Sequence, residues 1–206
     1  KPGYAGVRVS TLTASGSVLY KSHTFFLAEP RAELSWRLDH NSRLSVSFNQ
    51  ASQNLHMLSN SSVGLPSDMW LPVNSILKPI TMRQFSGGYE RDLWNKRYTF
   101  SVEGYYRKSD GIIDYKDNAD LFLNNRIEEQ VLTGESNGYG VECSLAKNSG
   151  SITGRISYTY SRSYNRIAGI EEGKQYPSIL DRPHNLKLFL NYAINPKWDL
   201  SSTFSY

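Results

Sequence analysis

A single cysteine, Cys143, in 206 residues cannot close an internal disulfide and offers no second thiolate for a cysteine-type metal site. Long hydrophobic runs are also missing. No stretch approaches the roughly 18 consecutive apolar residues of a membrane-spanning helix, and no charged start with an apolar core marks a signal peptide. A helical membrane protein is thereby excluded, whereas a membrane β-barrel is not. Charge of one sign is scarce: Lys plus Arg number 23 against 19 Asp plus Glu, giving +4 and a pI of about 9.1. The basic residues are scattered rather than gathered into a run, which argues against nucleic acid as a partner. His23, His40, His56 and His184 have no spacing that puts two ligands on one face of an element, so no metal site and no cofactor is expected. Gly134, Gly138 and Gly140 lack the dinucleotide-binding spacing and precede a strand pattern rather than a helix, and no Gly-x-Ser-x-Gly elbow occurs.

What the chain does contain is amphipathic rings on a polar background. Mean hydropathy is −0.50, yet 13% of residues are aromatic and 14 are Tyr. The length suffices for a domain with a real core, which makes disorder a poor reading. Apolar and polar residues alternate with period two in segments of about the 9 to 11 residues that a tilted strand needs to cross a bilayer. Ala32, Leu34, Trp36 and Leu38 alternate with Arg31, Glu33, Ser35 and Arg37, and Leu44, Val46 and Phe48 alternate with Arg43, Ser45, Ser47 and Asn49. The same pattern returns at Tyr98–Tyr106, Tyr139–Leu145, Ile152–Tyr160, Leu186–Tyr192 and Trp198–Tyr206. Nine strand candidates follow: 5–12, 31–38, 43–50, 81–90, 97–107, 138–147, 151–161, 185–193 and 198–206.

The connections carry further information. Those around 39–42, 91–96, 148–150 and 194–197 are short and built from turn residues. Those at 13–30, 51–80, 108–137 and 162–184 are long, and the two kinds alternate strictly. Outer-membrane barrels have this asymmetry, with short periplasmic turns and long extracellular loops. It places Trp36, Tyr89, Trp94, Tyr98, Tyr192 and Trp198 near one interface, and Phe48, Tyr106, Tyr139, Tyr158, Tyr160, Phe204 and Tyr206 towards the other, as two aromatic belts. The expected fold is all-β, an antiparallel transmembrane β-barrel segment.

Specific residues then carry a family resemblance. Gly87-Gly88-Tyr89-Glu90, Val102-Glu103-Gly104-Tyr105-Tyr106-Arg107-Lys108, Ile113-Asp114-Tyr115-Lys116-Asp117-Asn118-Ala119, Gly138-Tyr139-Gly140-Val141-Glu142, Ser157-Tyr158-Thr159-Tyr160-Ser161, Tyr176-Pro177 and Asp181-Arg182-Pro183-His184-Asn185-Leu186 occur in that order and strand context. Together they resemble the barrel of TonB-dependent outer-membrane receptors, over nearly the whole chain. The resemblance implies a barrel of about 22 strands with a plugged lumen, of which this chain would be a fragment from the later half, without the plug domain. It implies active uptake of a scarce large ligand, such as a metal chelate, a cobalamin-like cofactor or an oligosaccharide, at the bacterial outer membrane. The partners implied are outer-membrane lipid, a TonB energy-coupling complex acting through the missing plug, and a surface lipoprotein.

On this reading the alternating polar face is the lumen, with Arg37, Arg43, Glu103, Glu142, Arg155, Lys187 and Asp199 facing plug or solvent. A simple solvated sheet face would account equally well for any one of them. Ligand capture would fall to long loops, where Trp70, Tyr115 and Tyr176 offer rigid amphipathic surfaces, although loop packing or the aromatic belt explains single rings more often. Asp114, Asp117, Asn118 and Asp120 lack the EF-hand order and its glycine, and read as a capped turn. No catalytic residues are expected. The rivals are an outer-membrane barrel hydrolase, which would need residues such as His56, Asp114, Asp117 and His184 to converge, an adhesin, and a soluble β-sandwich binding module. The last gives no reason for short and long connections to alternate.

Overall fold

The computed structural model describes residues 27–58, 69–74, 76–116 and 130–206. The strands are β1 (Arg31–Arg37), β2 (Ser42–Gln53), β3 (Leu55–Leu58), β4 (Met69–Pro72), β5 (Ile80–Leu93), β6 (Tyr98–Tyr115), β7 (Val131–Lys147), β8 (Ile152–Ile167), β9 (Gln175–Pro177), β10 (His184–Asn195) and β11 (Trp198–Ser205). One antiparallel sheet runs β1-β2-β5-β6-β7-β8-β10-β11, with the short β9 also paired to β8; β3 and β4 form a separate hairpin. Eight of the nine expected strands are members of this sheet. The candidate at 5–12 lies outside the described residues.

Register explains why the alternation matters. Ala32 pairs with Phe48, Phe48 with Phe85, Phe85 with Tyr106, and Tyr106 with Tyr139, a continuous row of apolar side chains on one face. Below it, Leu34, Val46, Gly87, Gly104, Val141 and Tyr160 form the next row, followed by Trp36, Leu44, Tyr89, Val102, Cys143 and Tyr158. This face is bare: Leu34 is 70% exposed, Trp36 66% and Trp198 68%. The opposite face is mostly polar, and there Ser144 and Ala146 are buried. Cross-strand hydroxyls bond one another on it, Ser47 Oγ to Ser86 Oγ at 2.7 Å and Ser101 Oγ to Ser144 Oγ at 2.8 Å. A water-soluble protein rarely bares so broad an apolar patch, whereas a sheet facing hydrocarbon requires one.

The short connections close as expected. Asp39 accepts hydrogen bonds from the Asn41 amide at 2.7 Å and the Ser42 hydroxyl at 3.1 Å between β1 and β2. Between β5 and β6, Trp94, Asn95 and Lys96 all have positive φ, at 48°, 55° and 63°. Gly150, at φ 101°, turns β7 into β8, where the Lys147 ammonium also donates to the Ile152 carbonyl. Asn195 Oδ1 caps the Lys197 amide at 2.9 Å between β10 and β11.

The long-loop end departs from expectation. Segments 108–137 and 162–184 do not consist of loop alone, since β6 continues to Tyr115, β7 begins at Val131 and β8 runs to Ile167. β6 has 18 residues; at ~3.3 Å per residue such a strand is about 60 Å long, more than a bilayer core of about 30 Å needs even when tilted. The surplus stands above the apolar band as a rim. A bulge between Asp110 and Ile112, made possible by Gly111 at φ 84°, bends β6 there. Onto the rim packs the β3–β4 hairpin, where Leu58, Leu77 and Val131 form a small core joined by Leu71, Ile113 and Tyr115.

Candidate functional site

The register puts all seven expected lumen residues on the polar face. Arg37 lies opposite Arg43. Arg43 Nη2 in turn reaches Glu90 Oε1 at 2.8 Å, an ion pair that offsets the like-charge contact. Arg155 is opposite Phe189 and Ala146, Lys187 opposite Ser157 and Ser205, and Asp199 opposite Ala193. Arg37, Arg43 and Glu90 also line a polar hollow of about 710 Å³ at the short-turn end, with Asp39, Asp92 and Lys96.

Glu103 and Glu142 are direct cross-strand partners. Like charges in that position are destabilising unless something neutralises them. Glu142 Oε2 accepts a hydrogen bond from the Thr159 hydroxyl at 3.3 Å, and among the described residues neither carboxylate forms an ion pair. A second hollow contains both, next to Arg43, Ser45, Gly88, Glu90 and Ser101, with Arg43 paired to Glu90. Beside it on the same face, the Tyr105 ring covers Gly140: a Cβ added there would stand 2.8 Å from the ring, so the glycine is required by that close approach.

The three aromatic loop candidates all fall at the long-loop end. Trp70 lies on β4 and is exposed. Tyr115 ends β6 and packs against the Leu58–Leu77–Val131 core. Tyr176, on β9, donates from its hydroxyl to Asp114 Oδ2 at 3.0 Å. Burial and the neighbouring Asp114 carboxylate push its phenol well above the usual range. Tyr115 and Tyr176 are thus brought close through Asp114, and both have structural partners. Asp117, Asn118 and Asp120 lie outside the described residues.

Of the residues that a hydrolase would need to converge, the described His184 and His56 have separate surroundings. His184 is on the apolar face, where its Nδ1 and the Tyr158 hydroxyl are 2.6 Å apart and the Tyr160 ring is 5.6 Å away. His56 is fully buried under the hairpin and bonds the Lys78 carbonyl through Nε2 at 2.9 Å. Among the described residues no group of three or more His, Cys, Asp or Glu side chains could hold a metal ion.

A cavity of about 220 Å³ opens at the rim between the strand wall and the hairpin. Arg107, Ser109, Ser136, Asn165 and Ser178 provide its polar lining, and Met57, Ile80, Ile112 and Ile113 its apolar lining. His56 also lines it; in the sequence Arg107 stands only within the Val102–Lys108 motif, and Ser109, Ser136, Asn165 and Ser178 carry no signal of a site. The period-two pattern continues through Arg107 and Ser109, but beyond the apolar band the other face carries charges as well, so the contrast between faces disappears. Lys108 Nζ there meets Glu135 Oε2 at 2.7 Å, and Arg83 Nη1 meets Asp110 Oδ2 at 3.7 Å.

Comparison with known proteins agrees with this geometry. Residues 4–206 match the family described as TonB dependent receptor-like, beta-barrel. No curated protein matches the chain. Among solved structures it resembles the ferric-catecholate import receptor Fiu of E. coli K12 in its closed form, with a TM-score of 0.55 and 13% sequence identity. The likeness covers 97% of this chain and 29% of that one, so this chain spans less than a third of the receptor's length.

Proposed function

The chain belongs to the TonB-dependent receptor-like β-barrel family, and from that premise we propose that it is part of the barrel wall of an outer-membrane receptor for a scarce large ligand. The observation that carries this reading is the inverted sheet, with large apolar side chains bare on one face and small polar ones on the other. The apolar face meets outer-membrane lipid, and the polar face lines the lumen. Around 22 strands complete such a barrel, so the plug and the remaining strands belong to a longer protein. The sheet edges at β1 and β11 are where neighbouring strands join.

Transport is coupled to a TonB complex acting through the plug. Glu103 and Glu142 receive cationic plug side chains, which relieves the repulsion between them. Arg37, Arg43, Arg155, Lys187 and Asp199 contribute further contacts to plug or water. The cargo is a metal chelate of the siderophore class, the reading favoured over a cobalamin-like cofactor or an oligosaccharide by the name of the similar receptor. Trp70, Tyr115 and Tyr176 stand on the extracellular side, where cargo first arrives.

The test is growth of the source bacterium under iron limitation on ferric catecholate chelates, with the full-length gene intact, deleted, or present without TonB. Uptake that needs both the gene and TonB is the expected result. Uptake unaffected by either deletion, across chelate, cobalamin and oligosaccharide cargoes, would overturn the reading.

A further inference from the structure

We propose that the rim cavity is an oxyanion subsite in which Arg107 holds a carboxylate or phosphate group of the cargo. The proposal deepens the transport reading and rests on it for the orientation of the polar face towards the lumen.

Arg107 differs from the cations around it. At this end of the sheet Arg83 pairs with Asp110 at 3.7 Å, Lys108 with Glu135 at 2.7 Å and Arg162 with Asp181 at 3.0 Å. Arg107 is half-buried and has neither an ion pair nor a hydrogen bond among the described residues. Its guanidinium lies along the wall over its register partner Gly138: a Cβ there would be 3.5 Å from Nη2 and 3.6 Å from Nε. The glycine therefore gives the planar fork room to lie beside the strand, and its five donors suit a two-oxygen anion.

The rest of the lining has matching chemistry. Ser109 and Ser136 are cross-strand partners, and Ser136 is opposite Asn165, so hydroxyl and amide donors follow one another across three strands beside the guanidinium. The Ser136 hydroxyl donates to the Tyr164 carbonyl at 3.1 Å and Ser178 Oγ accepts from the Leu180 amide at 3.3 Å, whereas the Ser109 hydroxyl has no hydrogen bond among the described residues and is free to donate into the cavity. No carboxylate lines the cavity. The other titratable member, His56, donates its Nε2 proton to the Lys78 carbonyl, and burial lowers its pKa, so at neutral pH it adds no charge. A volume of about 220 Å³ admits one small group with part of its scaffold rather than a whole chelate, which makes it a subsite.

The test uses the purified full-length receptor in detergent, titrated calorimetrically with inorganic phosphate and with citrate as carboxylate probe. Arg107→Gln is expected to weaken binding of at least one probe tenfold or more. Ser109→Leu, which fills the cavity and leaves the charge, is expected to do the same. Arg83→Gln, on the outer face, is expected to bind as the wild type does. Thermal melting of the β-sheet signal checks that each variant is folded. Wild-type affinity in folded Arg107→Gln and Ser109→Leu, or no binding of either probe by the wild-type receptor, overturns the proposal. Binding needs no energy coupling, so the two readings fail separately: TonB-dependent uptake with Arg107-independent binding sinks the subsite alone, and the converse sinks the transport reading alone.

Discussion

The two ends of the sheet are made from the same strands under different constraints. At the short-turn end the chain reverses within a few residues, and side chains next to the turn satisfy the exposed backbone, as Asp39 does for Asn41 and Asn195 for Lys197. At the long-loop end the strands overshoot the apolar band, and stability comes from contacts between residues far apart in sequence: Tyr176 with Asp114, Arg162 with Asp181, Leu58 with Val131. Local closure leaves a wide polar hollow of about 710 Å³ bordered by the turn residues themselves. Long-range closure builds a wall, a hairpin and a smaller cavity of about 220 Å³ between them, lined from several strands.

The contrast breaks most sharply if the rim loses its own core. Leu77 is fully buried between the hairpin and the strand wall. Leu77→Ala should cost ~2–5 kcal/mol, confined to the rim. Hydrogen exchange on the full-length receptor should show faster exchange in β3, β4 and the upper part of β6, with the short-turn end unchanged. Equal loss of protection at both ends would mean that the rim is not a separate unit of stability.

Acid sharpens the same contrast. His56 is held neutral by burial, so its pKa in the folded rim is below its unfolded value of about 6.5. As pH falls below that unfolded value the open form takes up the proton first, and the hairpin loses stability progressively until the folded pKa is passed. Exchange in β3 and β4 should therefore accelerate between neutral and mildly acidic pH, and His56→Gln should flatten the dependence. A hairpin equally protected across that range would contradict the assignment.

A smaller effect of opposite sign is expected at the short-turn end. Lys96 sits at φ 63°, a conformation that costs a side-chain-bearing residue on the order of 1 kcal/mol and glycine very little. Lys96→Gly should raise stability against denaturant by up to about 1 kcal/mol without altering rim exchange. A decrease would show that the ammonium contributes more in the polar hollow than the backbone strain costs.

How far each end was legible in the sequence follows from the same physics. Within the apolar band one face is apolar and bare and the other polar, which imposes strict alternation, so Leu34, Val46, Val102 and Val141 announce their strands. Beyond that band both faces carry polar or charged residues, and residues such as Arg107, Lys108, Ser109 and Asp110 no longer distinguish one face from the other. The ends of β6, β7 and β8 therefore look like loop in the sequence, and β3, β4 and β9 leave no trace there because strands of three or four residues carry too few side chains to show a period. Alternation nevertheless assigned every expected lumen residue to the polar face. It could not reveal which of them meet, since the opposition of Glu103 and Glu142 depends on register between strands joined by a long connection.

The smallest expected effect tests whether local closure is as self-contained as it looks. Two donors hold the Asp39 carboxylate, the Asn41 amide foremost, and they lower its pKa in the folded turn relative to the unfolded chain. Stability from this cap is fully present above the unfolded value of about 3.9 and disappears as pH falls through the folded one. Asp39→Ala should then increase exchange at Asn41 and Ser42 near neutral pH, and the difference from wild type should vanish in strong acid. Because the carboxylate is exposed, the effect should extend no further than the β1–β2 turn. Faster exchange in β5, reached through the Asp92 amide that donates to the Asn41 carbonyl at 2.7 Å, would instead show that the bonds between neighbouring turns at this end transmit stability from one to the next.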